Sequence, residues 1–252
     1  MIGNQLILHR KLIDRLAYAH DASIYRLVPE AVARPENESD VKDLLDYAHS
    51  SGTSVTFRTA GTSLSGQTVT KGIIAEVVRG WKQHEILDNG AAIQLQPGVI
   101  GGRSNLYLQP YYRRIGPDPA SIDSAMIGGI ISNNSSGMVC GVKHNSYHTL
   151  RHIRFILANG NCYDTSNPDD YEKFLNIEKD LCTGLLLCRK EIENNSTLRN
   201  KVRRKYRIKN TLGYSLNSFI DFNHPLDIFA HLLIGAEGTL CLLYTSPSPR
   251  DS

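Results

Sequence analysis

The stretch Arg58-Thr-Ala-Gly-Thr-Ser-Leu-Ser-Gly-Gln-Thr68 decides how this chain is read. From Gly61 it spells G-x-x-x-x-G-Q-T, one letter away from the G-x-x-x-x-G-K-[ST] loop that cradles nucleotide phosphates. Such a loop needs a lysine for the terminal phosphates and a helix directly behind it. Gln67 stands in the lysine's place, and the following Val69–Val78 is β-branched, interrupted by Gly72 and strand-like. Both conditions fail. What remains is a loop suited to backbone contacts. Gly61 and Gly66 permit positive φ and close approach. The small residues between them leave successive N–H groups free to face an anion, and Thr62, Ser63 and Ser65 add hydroxyls. Taken alone, the stretch fits a bare Gly/Ser connection as well as it fits an anion cradle.

A second glycine-rich stretch shifts the balance. In Gly116–Gly137 (GPDPASIDSAMIGGIISNNSSG), Pro117 and Pro119 hold an extended turn around Asp118. Gly128-Gly129 then opens a short apolar run that ends in Ser132–Ser136. Two separated loops of this kind suit a ligand with a long footprint, such as a dinucleotide. A Rossmann site would need G-x-G-x-x-G, and the chain contains no G-x-G. A dinucleotide binder of another fold is left.

The surrounding pattern is mixed α and β. Residues 1–20 read as a short amphipathic helix, and Ser23–Pro29 as a strand. Glu38–Gly52 places Val41, Leu44, Leu45 and Ala48 on one helical face, with Ser39 as N-cap and Gly52 as the stop. Residues 54–58, 72–78 and 91–99 read as strands, and Asn159-Gly160 marks a hairpin. Residues 169–205 are helical in character. The Ser/Pro-rich segment 242–252 changes composition abruptly and is expected to lie outside the fold as a tail of non-native appearance.

Composition sets the limits. The chain has 252 residues, 41% hydrophobic and 21% charged, the balance of an ordinary globular protein. A net charge of +3 gives no argument for nucleic acid. The cysteines at 140, 162, 182, 188 and 241 form no C-x-x-C pair, which points away from disulfide and metal frameworks and towards a reducing compartment. No secretory signal and no membrane span is legible. His144, His148 and His152 recur every four residues, but the β-like sequence around them favours ordinary loop and strand histidines over a metal site. The run 199–209 holds seven basic residues in eleven, and reads as a solvated face beside an anionic cofactor or partner rather than a nucleic-acid surface.

Six blocks in order then carry a resemblance: RTAGTSLSG (58–66), LQPGV (95–99), GPDPAS (116–121), IGGIISNNSSG (127–137), LANG (157–160) and IGAEGTL (234–240). Together they resemble the FAD-binding domain of the vanillyl-alcohol-oxidase, or PCMH-type, flavoproteins. Within these the chain looks like the FAD-linked D-lactate, glycolate and D-2-hydroxyglutarate dehydrogenases. KNTLGYSLNSFIDF (209–222) and NNSSGMVCGV (133–142) are most similar to the large bacterial iron–sulfur-fused members. The resemblance implies an α+β fold over residues 20–241, with two α+β subdomains (about 20–80 and 90–241) clasping FAD and an N-terminal helical segment at 1–19.

The resemblance also implies the site. Arg58 leads into a pyrophosphate loop of Ala60, Gly61, Thr62, Ser63, Leu64, Ser65 and Gly66. Pro117, Asp118 and Ser121 contribute near the flavin, and Ala125, Gly128, Gly129, Ser132, Asn133, Gly137 and Val142 line the flavin and ribityl chain. Glu237, Gly238 and Thr239 return to the cofactor from the far end of the domain. Members with covalently attached flavin carry histidine where Thr62 stands, so non-covalent FAD is expected; Gln67 and Ser136 each replace a glycine.

The implied chemistry is hydride transfer from the α-carbon of a small 2-hydroxy acid to flavin N5, with a quinone or carrier protein as electron acceptor. The catalytic base, any metal ligands and any iron–sulfur cluster are expected beyond the IGAEGTL block, so no catalytic residue is assigned here. The expected location is cytoplasmic or peripheral to the inner face of a membrane. Two alternatives stand beside this reading. One is an enolpyruvyl-sugar reductase, against which KNTLGYSLN argues; the other is a non-catalytic flavin or nucleotide carrier.

Overall fold

The computed structural model describes residues 6–138, 140–247 and 249–251, with side chains described through Leu240. The first unit runs β1 (Leu8–His9), α1 (Leu12–Ala17), β2 (Ala31–Ala33), α2 (Glu38–Ser51), β3 (Val55–Arg58) and β4 (Ile73–Glu76). Its sheet has the order β1-β2-β4-β3, with β4 parallel to both β2 and β3 and β1 antiparallel to β2. Ile73, Ile74 and Ala75 are wholly buried, the unbroken apolar run expected of a parallel strand covered on both faces. The helix α2 buries Val41, Leu44 and Ala48, residues three and four apart that fall on one face.

Three local expectations change. The cap of α2 is Asn37, not Ser39: its side chain accepts from the Asp40 N–H at 2.9 Å, while Gly52 ends the helix at φ 65° as expected. The N-terminal helix is confined to Leu12–Ala17, preceded by β1. Residues 23–29 do not form a strand. The Leu27 N–H bonds back to the Ala19 carbonyl at 2.9 Å, and β2 starts only after Pro29, which lacks a donor for the ladder.

The second unit continues with β5 (His84–Leu87), β6 (Ala92–Leu95), α3 (Gly101–Leu108), β7 (Arg113–Ile115) and α4 (Ile127–Ser132). Then come α5 (Ser146–Thr149), β8 (Leu150–Leu157) and β9 (Cys162–Asp164). A helical layer follows: α6 (Pro168–Ile177), α7 (Lys179–Asn194), α8 (Ser196–Lys205), α9 (Ser218–Asp221) and α10 (Pro225–Leu232). The chain closes with β10 (Cys241–Pro247) and β11 (Pro249–Asp251). The main sheet is antiparallel with order β5-β6-β10-β8-β9. The β8–β9 hairpin turns at Asn159-Gly160 with Gly160 at φ 80°. Phe155, Tyr163, Phe174 and Phe229 interlock in the core between sheet and helices, with ring centroids 4.9 Å apart for Tyr163–Phe174 and 5.4 Å for Phe155–Phe229.

Within 242–252, expected to lie outside the fold as a tail of non-native appearance, the backbone of 242–247 and 249–251 is paired. Residues 241–247 form the strand between β6 and β8, pairing Cys241 with Leu157 and Thr245 with Leu95. The outer edges of β6 and β8 are taken by β5 and β9, so their inner edges need a strand between them. Leu-Leu-Tyr-Thr suits that position, and the pairing becomes irregular only where Pro247 enters.

The two units meet along an apolar seam of Val41, Val77, Trp81 and Ile156. The Trp81 indole donates to the Pro35 carbonyl at 2.7 Å. Arg154 of β8 grips Glu38 of α2 with two bonds, of 2.6 and 2.8 Å, and holds that carboxyl below its usual range. The three spaced histidines are dispersed. His148 lies on the single turn α5 and His152 on β8, so they share no helical face.

Candidate functional site

The loop after β3 shapes itself. Gly61 and Gly66 adopt φ 70° and 80°. The Gln67 N–H donates to Ser63 Oγ at 3.1 Å, the Ser65 N–H donates to Gln67 Oε1 at 3.1 Å, and the Ser63 hydroxyl donates to the same oxygen. Gln67, which reads in the sequence as one more amide, is the brace of the turn. Arg58 is turned beneath the loop. Its guanidinium donates to the carbonyls of Tyr18 at 3.2 Å and His20 at 2.8 Å, and it lies 5.4 Å from the centre of the Tyr18 ring. Burial lowers its pKa from the ordinary value. A Cβ on Gly61 would run into this guanidinium. The segment under the loop is tied on by the Ala22 N–H to the Gly61 carbonyl, 3.1 Å, and by the Thr68 hydroxyl to Asp21, 3.0 Å. Burial would raise the Asp21 carboxyl, but bonds from Ser23 and Thr68 outweigh it and hold it low.

The opposite wall is α4 and the turns on either side. A Cβ on Gly128 would sit 2.8 Å from Pro97, and one on Gly129 would sit 3.2 Å from the Thr59 hydroxyl, so the helix lies hard against both. At Gly137 a Cβ would overlap the Asp118 carbonyl. Glu237, at φ 54°, donates its N–H to the Ser132 carbonyl at 2.8 Å. Its carboxylate accepts from Asn133 Nδ2 at 2.5 Å. Burial pushes the Glu237 carboxyl above its usual range, with hydrogen bonds from Asn133 and Gln67 opposing. The last motif of the domain therefore meets both α4 and the brace of the first loop.

Between these walls lies a cleft of about 580 Å³, within the size range of cofactor and small-molecule sites. Of the expected site residues it gathers Arg58, Gly61, Thr62, Ser63, Leu64 and Ser65 from the first loop. From the second wall come Ser121, Ala125, Gly128, Gly129, Ser132 and Asn133, and from the last motif Glu237 and Gly238. Seven others do not line it; Thr239, for one, turns its hydroxyl to the Ala236 carbonyl at 2.7 Å. Ala60 is half-buried in the loop, and Gly66 backs onto the Tyr25 ring. Pro117 faces a small apolar pocket with Ile127 and Ile131. Asp118 pairs with Arg114 at 3.3 Å, and Gly137 packs on the Asp118 backbone. Val142 lies in the turn before α5, its carbonyl accepting from the Asn145 N–H at 3.4 Å.

Sequence reading missed Thr59, Pro97, Lys209 and Thr211, all of which line the cleft. Pro97 sits inside the LQPGV block, and Lys209 and Thr211 open KNTLGYSLN, so the sequence carries both as family blocks without a site role.

Residues 29–166, more than half of the chain, match the family described as FAD binding domain, and the chain belongs to it. In fold, the chain is similar to a solved structure of an alkyldihydroxyacetonephosphate synthase, with a TM-score of 0.62 at 13% identity, covering 100% of this chain and 39% of that one. The chain is 28% identical over 237 residues to a D-2-hydroxyglutarate dehydrogenase of Pantoea ananatis, covering 91% of this chain and 23% of that protein. It is 31% identical over 156 residues to the Escherichia coli protein of the same name, covering 60% and 15%. It is also 30% identical over 155 residues to the glycolate oxidase subunit GlcD of Bacillus subtilis, covering 60% and 33%. The chain thus spans a third or less of the length of these relatives. Among the described residues no helix is long and apolar enough to cross a membrane.

Proposed function

We propose that the cleft holds FAD without a covalent link, and that the chain is the flavin-binding part of a dehydrogenase of D-2-hydroxy acids. One observation carries this reading. Both glycine-rich loops and the E-G-T segment, far apart in sequence, line a single cleft between the two units. The cradle fits the group: Gly61 and Gly129 line the cleft at points where a side chain would run into Arg58 or press on Thr59, so both places are kept for backbone.

In this reading the main chain of 61–65, with the hydroxyls of Thr62, Ser63 and Ser65, meets the diphosphate. The α4 wall, with Asn133 and Ser132, faces the remainder of the cofactor. Thr62 stands where a histidine would be needed for attachment. When bound, FAD supplies the hydride acceptor. The group that takes the hydroxyl proton of the 2-hydroxy acid, any metal ligands, any iron–sulfur cluster and the docking point for a quinone or carrier protein belong to the part of the relatives that this chain does not span. The names of the relatives, D-2-hydroxyglutarate dehydrogenase and glycolate oxidase subunit, support the substrate class.

The test is the colour and the acid behaviour of the purified chain. After incubation with FAD and desalting, it is expected to be yellow and to release all flavin into the supernatant on acid precipitation. Flavin that stays with the pellet overturns the non-covalent assignment. A chain that retains no flavin overturns the cleft.

A further inference from the structure

Among the described residues, three charged side chains line the cleft: Arg58, Glu237 and Lys209. Two of them are committed. The Arg58 guanidinium points beneath the loop to the carbonyls of Tyr18 and His20, and the Glu237 carboxylate is held by Asn133. Lys209 differs. Its side chain is exposed, and among the described residues its one hydrogen bond goes to a backbone carbonyl, that of Ser136, at 2.7 Å. An ammonium has three donors, so two remain to face the cleft.

The segment that carries Lys209 is anchored at its two ends. Tyr206, just past α8, donates its hydroxyl to the Tyr214 carbonyl at 2.7 Å and accepts from the Leu216 N–H at 3.0 Å. Tyr214 in turn bonds Thr239 of the E-G-T motif at 2.9 Å, and the buried Ser215 hydroxyl donates to the Ile234 carbonyl at 2.7 Å. KNTLGYSLN is therefore a loop clamped at both sides, presenting Lys209 and Thr211 to the cleft. Exposed Arg203, Arg204, Lys205 and Arg207 lie directly before it and add to the positive field.

Resting on the flavin-dehydrogenase reading above, we propose that Lys209 recognises the carboxylate of the hydroxy-acid substrate, with the Thr211 hydroxyl beside it as a second donor. The position favours substrate over cofactor phosphate. The partner of Lys209, Ser136, belongs to the wall that follows α4, while the diphosphate is assigned to the loop 61–65. A lysine contributes there as a compact point charge with rotatable donors.

The experiment uses the FAD-loaded chain and glutarate, a dicarboxylate that cannot be oxidised at an α-hydroxyl. Two quantities are read: FAD affinity, and the glutarate concentration that half-saturates the change in flavin absorbance. Lys209→Ala is expected to leave FAD affinity within about twofold and to weaken glutarate roughly 10–100-fold, with Lys209→Arg recovering part of the loss. Unchanged glutarate binding in Lys209→Ala overturns the proposal. So does a parallel loss of FAD affinity, which would assign the lysine to the cofactor. If the unsubstituted FAD-loaded chain shows no saturable glutarate response, this chain does not make the contact and the proposal fails while the flavin reading stands. If that chain retains no FAD, the flavin reading fails first and takes this one with it.

Discussion

The loop between β3 and β4 takes its shape from bonds within 59–68 and from the nearby 18–22 segment, whereas the wall across the cleft is assembled from distant stretches. In the first, Ser63, Ser65 and Gln67 bond one another, and Arg58 fills the space beneath. In the second, α4 hangs from Val99 and Pro97 at its start, through N–H bonds of 2.9 and 3.0 Å, and from Gly235 and Glu237 at its end, at 3.2 and 2.8 Å. The Asn133–Glu237 bond joins residues 104 apart in sequence. A locally built loop can change without disturbing the fold. A wall built by long-range contact cannot, because the bonds that place it are also bonds that hold the domain together.

The sharpest break of this comparison is Gly137→Ala. The added methyl would land on the Asp118 backbone carbonyl, and a backbone atom has no rotamer by which to move aside. The expected loss of unfolding free energy is about 3 kcal/mol, the upper range for forced overpacking, measured by urea denaturation. A loss under about 0.5 kcal/mol, the level of an ordinary surface change, would show that the wall yields.

Gly61→Asp tests the other side and has a smaller effect on the fold. Its new side chain meets the far end of a flexible arginine, so the main cost is the positive φ of 70°, roughly 1–2 kcal/mol for a residue with a Cβ. Its effect on the ligand is the larger one. A negative charge introduced into the loop assigned to the diphosphate is expected to weaken FAD by about tenfold or more, read by flavin fluorescence. Equal FAD affinity in this variant would remove the phosphates from the loop.

The same contrast explains what could be read from the sequence. The first loop was legible as a backbone cradle because its glycines and hydroxyls lie in one stretch, although the bracing role of Gln67 and the support from 18–22 needed the fold to show them. The strands 55–58 and 73–76, the hairpin at Asn159-Gly160 and the helical run after residue 168 follow from periodicity and turn chemistry. Failures came where tertiary contact overrides local preference. Residues 23–29 have strand-like composition but bond back to Ala19, and 242–247, inside the segment expected as a tail, pair between β6 and β8. Pro117 and Asp118 were expected at the cofactor from the resemblance; Pro117 faces an apolar pocket and Asp118 packs against Gly137, while Pro119, Ala120 and Ser121 of the same turn line the cleft. Lys209 is the converse case. Its basic neighbourhood marks a positive face, but only the clamp from Tyr214 to Thr239 brings it to the site.

The smallest effect lies in the second unit, in the buried cluster behind α4 and α5. His231 donates from Nδ1 to the Asp227 carbonyl at 2.9 Å, since a carbonyl can only accept. Its ring stacks on Phe222 with centroids 3.9 Å apart and meets the edge of Tyr147 at 5.1 Å. Burial lowers its pKa. Asp227 and Asp221 pull the other way, while His148, itself lowered by burial, reinforces the shift. A histidine depressed in the folded state leaves the unfolded chain holding more protons just below the usual value of about 6.5, so stability falls as pH drops through that point. The carboxylates held low, Asp21, Glu38 and Glu178, lose their contribution only further down, and the raised carboxyl of Glu237 works in the opposite direction. The informative quantity is therefore a difference between proteins. Comparing about pH 7.5 with about pH 5.5, the unfolding free energy of the unsubstituted chain is expected to fall by up to about 1 kcal/mol more than that of His231→Gln. Parallel pH profiles would mean that His231 takes up its proton without opening the cluster, and that this corner of the long-range wall is as yielding as the loop across the cleft.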